Sequence, residues 1–371
     1  MIIFRFVKVK NNRIVIVSYY GKGYGDNGKY IVEEILKDDI NCEIFWAVKN
    51  KSFAKSLPQG VKPIKFNSIK YFFYLTTAKV WINNTRFLNG TRKRKNQIYI
   101  QIWHGNLALK KIEYDAVLPR NYVKIMNHDN KLIDLMISNS DFCTDMYRNS
   151  FKFNGKIELF GTPRNDAFIN KDCINRSIKN VYENYKLNKN VKIILYAPTF
   201  RDNYSHNPYD INLEILKNHL LATTNDEWVI MVRFHPLVVN GKEYINSNDY
   251  IDVTNYPDMQ ELINSSSLVI TDYSSVMFDS LIAKKPVLLY ANDIEEYNLE
   301  RGYYFQFSEL PFPLFKNNED LMKKIKNINL KSIMEKYDAF SKKVNLLEDG
   351  RASIRLSKLV ANLFEGDSFD K

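Results

Sequence analysis

Short apolar runs alternate with amphipathic stretches along the first half of the chain. The apolar runs are rich in β-branched and aromatic residues and read RIVIVSYY, EIFWAV, KVWINN, IYIQIW and LMISNS. The stretches between them, KYIVEEILKD, NLALKKIEYD and DFCTDMYRN, carry apolar side chains at helical spacing. Continuous apolar strands separated by helices are typical of a parallel sheet that helices cover on both faces. The pattern therefore predicts an α/β fold.

The same alternation begins again after a polar stretch rich in Asn and Lys. The later strand candidates are VKIILYAPTF, EWVIMVRFHP, DYIDVT, SLVITDYSS and KPVLLY, and helical spacing returns near the end of the chain. A length of 371 residues suits two domains of ordinary size. We expect two Rossmann-like domains facing a cleft, residues 1–170 and 171–345, with a C-terminal helix in 346–371 closing the fold.

Composition narrows the class of protein. Hydrophobic residues make up 45% and aromatic residues 14% of the chain, which is enough for two cores and argues against disorder. Cys42, Cys143 and Cys173 form no CxxC pair, so neither a disulfide framework nor a structural zinc site is expected. The sequence lacks an apolar run long enough to cross a membrane, and charges interrupt the opening MIIFRFVKVKNNR. We expect a cytoplasmic protein without signal peptide or transmembrane segment.

Positive charge is concentrated in the first half. Residues 1–200 hold 34 Lys or Arg against 16 Asp or Glu, whereas 201–371 hold 19 against 26. Residues 51–100 contain eleven basic residues and no acidic one, including the run RKRK at 92–95. Such a region suits anionic lipid, polyphosphate or nucleic acid, although a solvated loop is the simpler interpretation of a charge run.

Polar residues follow several of the predicted strands, where ligands bind in open α/β sheets. SLVITDYSS ends in Asp272, Ser274 and Ser275, and a helix candidate follows at once. Hydroxyl groups and main-chain N–H groups at a helix start can bind a diphosphate, although an ordinary serine N-cap is the alternative. Arg233 and His235 end the run EWVIMVRFHP, and their charge and N–H groups also suit phosphate.

A histidine ends another strand candidate of the first half. His104 follows IYIQIW, and Gly105 permits a turn that exposes the imidazole. An imidazole with a pKa near 6.5 can accept a hydroxyl proton near neutral pH, so His104 is the candidate general base, with a structural role as the alternative. The glycine-rich segment SYYGKGYGDNG is expected to form an acceptor-side loop. No DxD pair is visible, so transfer without a metal is expected.

Seven motifs occur in a characteristic order, namely SYYGKGYGDNGKYI, QIWHGNLALKKIEYD, GTPRNDAF, ILYAPTFRD, RFHP, TDYSSVMFDSLIAKKPVLLYANDIEEYNLERGYYFQF and DGRAS. Together they resemble the CDP-glycerol glycerophosphotransferase family of teichoic-acid synthesis. The resemblance implies a GT-B-like fold with the donor bound in the second domain. It also implies that an acceptor hydroxyl attacks the phosphorus attached to the alcohol and that CMP leaves.

Position by position, the resemblance implies roles for named residues. His104 would be the base, and His235 with Arg233 would contact and neutralise the diphosphate. The remaining donor contacts would be Asp272, Ser274, Ser275, Thr199 and Arg201. The chain departs from the family pattern at Asn106, where a Thr-Pro pair usually begins, and at Thr162, where an aromatic residue is common. Both departures are expected to affect acceptor choice.

The resemblance also implies partners. The donor would be CDP-glycerol or CDP-ribitol, and no further cofactor or metal is expected. The acceptor would be carried on a polyprenyl (undecaprenyl) diphosphate, so the basic first half would meet an anionic membrane surface and hold the protein at the cytoplasmic face as a peripheral protein. Since the first motif begins at Ser18, a primase or short-chain transferase is favoured over a processive polymerase.

Four alternatives stay open at the level of sequence. A nucleotide-sugar glycosyltransferase or epimerase could use the same fold. A processive poly(glycerol phosphate) or capsule polymerase would share the chemistry. A nucleic-acid-binding protein would suit the basic charge, but no helix-turn-helix, zinc-finger or RRM signature accompanies it. A silent membrane-binding relative would not need intact His104, His235, Ser274 and Ser275.

Overall fold

The computed structural model describes residues 1–105, 107–201, 208–235, 238, 245 and 249–366. Its first sheet has seven strands, all parallel to their neighbours, in the order β3-β2-β1-β4-β5-β6-β7. The strands are β1 (Lys10–Val17), β2 (Glu43–Val48), β3 (Val61–Lys65), β4 (Ala78–Asn83), β5 (Ile98–Gln101), β6 (Leu135–Ser138) and β7 (Lys156–Leu159).

The second sheet has six strands, again all parallel, in the order β10-β9-β8-β11-β12-β13. In each sheet the strand order proceeds outward in both directions from a central pair, β1–β4 in the first sheet and β8–β11 in the second, as in Rossmann-like domains. The strands are β8 (Lys192–Tyr196), β9 (Trp228–Val232), β10 (Ile251–Asp252), β11 (Leu268–Thr271), β12 (Val287–Tyr290) and β13 (Leu314–Phe315).

Helices connect most consecutive strands, because parallel pairing requires a crossover between them. Several begin at a side-chain cap: Ser140, for example, accepts a hydrogen bond from the main-chain N–H of Cys143. The helices are α1 (Asp26–Lys37), α2 (Lys51–Ala54), α3 (Ile69–Thr77), α4 (Arg120–Asn130), α5 (Asp141–Asn149), α6 (Lys171–Asn184), α7 (Leu213–Thr224), α8 (Met259–Ser265), α9 (Val276–Ile282), α10 (Ile294–Arg301), α11 (Asn318–Ile325), α12 (Leu330–Glu335), α13 (Tyr337–Lys343) and α14 (Ala352–Glu365).

The chain divides into two compact units. The first contains residues 1–106, 112–166 and 345–371, and the second contains 107–111 and 167–344. The end of the chain therefore belongs to the first unit, where the sequence had suggested a separate closing helix in 346–371. The reason is packing: Leu356, Val360 and Leu363 lie on one face of α14 and join the buried core of the first sheet.

The segment before α14 is also fixed to the first unit. The carboxylate of the half-buried Glu348 accepts hydrogen bonds from Asn139 Nδ2 at 2.8 Å, Asn165 Nδ2 at 2.9 Å and the main-chain N–H of Thr162 at 3.2 Å. These partners follow β6 and β7, so the contact joins the chain end to the carboxyl edge of the first sheet. Burial raises the pKa of Glu348 to about 7, against these hydrogen bonds, which lower it.

The predicted α/β class is confirmed, and every strand candidate of the sequence corresponds to a strand. Three further strands lie at sheet edges or are very short: β3, β7 and β13. Within the described residues, the stretch NLALKKIEYD forms no α-helix, and only Glu113–Asp115 at its end make a short 3-10 helix. Lys111 N–H instead donates to the carbonyl of Gly302 and Tyr304 N–H donates to the carbonyl of Leu109, at 3.1 and 2.8 Å, so this segment pairs with 302–304.

Candidate functional site

The imidazole of His104 follows β5 at the carboxyl edge of the first sheet. Its Nδ1 lies 2.7 Å from the main-chain carbonyl oxygen of Asn84, the residue that follows β4. Because a carbonyl oxygen can only accept, Nδ1 must carry the hydrogen. The lone pair of the neutral ring is therefore on Nε2, which is the arrangement a general base needs.

A buried ion pair lies behind this histidine. Arg164 Nη1 is 2.9 Å from Asp26 Oδ2, and the two side chains are only 5% and 7% exposed. The same Nη1 donates to the carbonyl oxygen of His104 at 2.8 Å. On the other side, Asn84 Nδ2 donates to Asp26 Oδ1 at 3.1 Å. One carboxylate is thus connected to His104 in two ways, through Arg164 and through Asn84.

A second buried amide supports the turn that carries His104. Asn27 is fully buried, and its Nδ2 donates to the carbonyl oxygens of Ile102 and Trp103 at 3.0 and 2.9 Å. Its Oδ1 accepts the main-chain N–H of Arg164 at 3.1 Å. The glycine-rich opening segment, expected as an acceptor-side loop, therefore provides Asp26 and Asn27 as supports of the histidine.

The environment sets the charge state of His104. Burial lowers the pKa of the imidazole below its ordinary value of 6.5, while the carbonyl of Asn84 and the carboxylates of Asp26 and Glu113 raise it and Arg164 lowers it. The net shift is downward. The ring is consequently neutral at neutral pH and can accept a proton.

In the second unit, three of the predicted donor-binding residues form an internal network. Asp272 accepts the main-chain N–H of Thr199 at 3.0 Å, and its Oδ2 lies 2.9 Å from Arg201 Nη2. Arg201 also donates from Nε to Asp293 at 2.5 Å, and its guanidinium lies over the rings of Tyr273 and Tyr297. Only 4% of the Arg201 side chain is exposed. The network ties together the carboxyl ends of β8, β11 and β12.

Arg233 and His235 follow β9. Arg233 Nη1 contacts the sulfur of Met259 at 3.5 Å, and the ring of His235 lies 5.9 Å from that of Phe200 between centroids. Arg233 is half-buried and His235 is exposed. Pro236, the last residue of the RFHP motif, lies outside the described residues, as does Asn106.

Ser274 and Ser275 precede α9 and are half-buried. Ser274 Oγ accepts the main-chain N–H of Val276 at 3.3 Å, whereas the Ser275 side chain makes no capping hydrogen bond. Two hydroxyl groups and the first N–H groups of α9 therefore stand next to Asp272, at the central pair of the second sheet.

Across the described ranges, no group of three or more His, Cys, Asp or Glu side chains is placed to hold a metal ion. Within this part of the chain, no helix combines the length and the apolar character that a membrane crossing requires.

Comparison with known proteins decides the family. The profile of the CDP-glycerol:poly(glycerophosphate) glycerophosphotransferase family matches residues 1–362. This chain belongs to that family. A teichoic acid poly(glycerol phosphate) polymerase of Bacillus spizizenii is 34% identical, covering 91% of each chain. Another polymerase with this name, from Staphylococcus epidermidis, is 33% identical over 95% of this chain. This chain covers about half (51%) of the length of that relative.

A solved structure extends the likeness to three dimensions. A variant of the wall teichoic acid polymerase TagF, solved with CDPG, superposes with a TM-score of 0.83 at 32% identity, covering 96% of this chain and 90% of that chain. The GT-B-like α/β fold expected from the resemblance is confirmed. In this family member, the histidine of the WHG motif is His104, which follows β5 at the carboxyl edge of the first sheet.

Sequence reasoning identified His104 but not the residues that hold it. Asn84, which follows β4, and Arg164, which follows β7, bind His104 directly, and Asp26 at the start of α1 binds both of them. Two signals pointed to them: Asn83 and Asn84 end an otherwise apolar run, and Arg164 lies inside the GTPRND motif. Thr199, Arg201 and Asp272 are brought together by the structure, with Asp293 as the partner that the sequence left unrecognised.

Proposed function

We propose that this protein transfers glycerol phosphate from CDP-glycerol to a hydroxyl group of a lipid-linked acceptor and releases CMP. The observation that carries the proposal is His104, whose Nδ1 is held by the carbonyl of Asn84 so that Nε2 can take a proton. Membership of the glycerophosphotransferase family supplies the class of donor. Two relatives named for poly(glycerol phosphate) are 33% and 34% identical, whereas two named for ribitol phosphate are each 27% identical, which favours glycerol over ribitol.

The proposed reaction is one in-line displacement. The acceptor hydroxyl loses its proton to His104 Nε2 as its oxygen forms a bond to the phosphorus that carries the glycerol. The bond from that phosphorus to the bridging oxygen of the diphosphate breaks, and CMP leaves with the electron pair. Transfers of this kind depend on positioning and on stabilisation of the phosphoryl charge. No covalent intermediate with the protein is needed.

The donor diphosphate is proposed to bind in the second unit. Arg233 and His235 would neutralise it, and Ser274 and Ser275 would donate hydrogen bonds from their hydroxyl and main-chain groups. Thr199, Arg201 and Asp272 are proposed to act mainly by fixing the strand ends beside these residues, because their polar groups already bind one another. Metal-independent transfer remains part of the proposal.

The reaction is tested by incubating purified protein with CDP-glycerol, CDP-ribitol or a UDP-sugar, together with a soluble lipid-diphosphate acceptor. We expect acceptor-dependent release of CMP from CDP-glycerol, faster than from CDP-ribitol. Chelator should leave the rate unchanged. Turnover of the UDP-sugar, with no CMP release from either CDP-alcohol, would refute the proposal and favour the glycosyltransferase alternative. Product length separates a single addition, as in a primase, from repeated addition, as in a polymerase.

A membrane-facing role for the first unit is supported by the N-terminal patch, which we define as Ile3, Phe6 and Ile69 with Arg5 and Lys8. The three apolar side chains are 73%, 94% and 77% exposed, and both basic residues are exposed. The patch is fixed in place, since Phe4 packs edge-on against Phe73 of α3 and Arg94 Nη1 donates to the carbonyl of Val7 at 2.6 Å. Apolar insertion combined with basic residues is typical of proteins that bind anionic membrane surfaces.

Vesicle co-sedimentation tests this part of the proposal. We expect the protein to bind phosphatidylglycerol vesicles more strongly than phosphatidylcholine vesicles and to be released by salt. The double substitution Ile3→Ser and Phe6→Ser should reduce binding severalfold. Val117→Ser is the matched control, because Val117 is 99% exposed but is not part of the N-terminal patch. Equal loss in the control, or no loss in the double variant, would exclude the N-terminal patch.

A further inference from the structure

The ion pair behind His104 has an unusual connectivity. Asp26 accepts hydrogen bonds from three side chains: Arg164 Nη1 at 2.9 Å, Asn84 Nδ2 at 3.1 Å and the Tyr19 hydroxyl at 2.9 Å. Arg164 continues to the carbonyl of His104, and the carbonyl of Asn84 holds the imidazole. A single carboxylate therefore connects to both the backbone and the ring of the histidine.

The backbone at this place is strained. Tyr19, Tyr20, Asp26 and Trp103 have φ values of 43°, 56°, 56° and 35°, in the left-handed region that residues with a Cβ rarely adopt. Three of them are in the glycine-rich segment and the fourth directly precedes His104. Strained conformations persist where the surroundings over-determine them, and they concentrate at functional sites. The buried hydrogen bonds of Asp26, Asn27 and Arg164 provide that over-determination.

We propose that Asp26 and Arg164 are positioning residues for glycerophosphotransfer, holding His104 in the ring orientation and tautomer that present Nε2 to the acceptor hydroxyl. This inference rests on the proposed function for the identity of the reaction, but its geometric part stands on the hydrogen bonds alone. Neither residue touches the reacting atoms in this scheme. Both act through His104, and Asn84 transmits the contact of Asp26.

Because Asp26 and Arg164 have opposite charges, replacing them should shift the pKa of His104 in opposite directions. The charged groups that act on His104 are Asp26 and Glu113, which stabilise the imidazolium, and Arg164, which opposes it. Asp26→Asn leaves Arg164 uncompensated, so the pKa of His104 should fall further. Arg164→Gln leaves Asp26 uncompensated, so the pKa should rise. A purely structural defect would not shift the pKa in opposite directions in the two variants.

The test combines NMR of histidine-labelled protein with steady-state kinetics. The chain has five histidines, and the signal that disappears in His104→Asn identifies the one of interest. We expect His104 to show the Nδ1–H tautomer in the native protein, with its pKa lowered in Asp26→Asn and raised in Arg164→Gln relative to the native protein. In both variants kcat should fall roughly tenfold or more while KM for the donor changes little.

Controls separate positioning from loss of folding. Asp26→Glu and Arg164→Lys keep the charges and should recover part of kcat and most of the native pKa. Glu43→Gln breaks a partly buried ion pair at the other end of the strands, where Glu43 Oε2 lies 2.8 Å from Arg13 Nη2. This variant should change neither kcat nor the pKa of His104.

The proposal is overturned if His104 keeps its native tautomer and pKa in both Asp26→Asn and Arg164→Gln, or if both shift the pKa in the same direction. It is also overturned if kcat is unaffected in folded variants. Absence of CMP release by the native protein would instead refute the proposed function, since the NMR titration needs no substrate and still tests the positioning.

Discussion

At the scale of single residues, the proposed mechanism depends on which nitrogen of His104 carries the hydrogen. The carbonyl of Asn84 fixes this choice, and a backbone carbonyl cannot be removed by substitution. The sequence could identify His104, because a strand-end histidine followed by glycine is a local feature. It could not identify Asn84 or Arg164 as partners, because their contacts with Asp26 join residues 58 and 138 positions apart.

The lowered pKa of His104 gives a prediction for the pH dependence of the reaction. A base works only when unprotonated, so a pKa below 6.5 keeps the imidazole active at mildly acidic pH. We expect kcat to be level through neutral pH and to fall on the acid side with a midpoint below 6.5. His104→Gln should reduce kcat by about 10²- to 10⁴-fold while leaving donor affinity intact. An acid limb centred above neutral pH would contradict this account of the base.

The sequence indicated Arg201 as a candidate donor contact but did not indicate which residues it binds. The sequence indicates a guanidinium near the donor, whereas the structure pairs it with Asp272 and with Asp293, which lies 92 positions away. Although burial alone would raise the pKa of Asp293, the hydrogen bonds and charge of Arg201 hold it below its usual value. The contribution of the Arg201–Asp293 pair to the free energy of unfolding is therefore present above the usual pKa of an aspartate and is lost as the pH falls below that value.

Replacing Arg201 tests that interpretation. Arg201→Ala should lower the free energy of unfolding by about 3–5 kcal/mol, because it leaves two buried carboxylates without their cation. Lys323→Ala is a suitable control, since Lys323 and Glu319 form an exposed pair whose loss should cost less than about 1 kcal/mol. Chemical denaturation measures both. A stable Arg201→Ala protein with a greatly increased KM for the donor would mean that Arg201 binds the donor directly.

At the scale of secondary structure, the buried central strands were predictable and the edges were not. β1, β4, β8 and β11 each contain an unbroken apolar run that is buried, as expected for central strands covered on both faces of the sheet. β3 has the sequence VKPIK with a proline, and β7 is KIEL with exposed ends, both at sheet edges. The segment after His104 has a helical pattern, yet its buried Leu107 and Leu109 belong to an extended segment bonded to 302–304.

The packing of α1 against the sheet depends on Gly28. A Cβ at this position would lie 2.9 Å from the ring of Trp46 and 3.1 Å from a methyl group of Ile16. The glycine therefore permits a close approach of helix and sheet, as the last glycine of dinucleotide-binding loops does. Because α1 begins with Asp26 and Asn27, this approach also places the supports of His104.

Gly28→Ala should consequently destabilise the first unit by about 1–3 kcal/mol, despite the better helix propensity of alanine. Thermal unfolding measures the effect, and kcat should fall with it. Gly105→Ala is the control for stability, since a Cβ there meets no atom within 4 Å. Equal stability of the two variants would show that the sheet yields easily at Gly28 and that the close approach is not required.

At the scale of the whole molecule, each unit contains one of the two proposed groups of site residues. The first contains the histidine with its ion pair and the basic N-terminal patch, and the second contains Arg233, His235 and the two serines after β11. Ordered motifs were sufficient to recognise the family, because their sequence along the chain is specific even where each is weak. The assignment of α14 to the first unit required the structure, since the contact with α1 joins the two ends of the chain.

The most direct test of the central claim is a quantitative product analysis of a single reaction. Native protein, CDP-glycerol and a lipid-diphosphate acceptor are incubated, and CMP and extended acceptor are measured together by chromatography and mass spectrometry. On the proposed mechanism we expect one CMP for each glycerol phosphate added, and we expect the His104→Gln protein to form both products at least about 100-fold more slowly. CMP released without extension of the acceptor, or equal products from the His104→Gln protein, would contradict it.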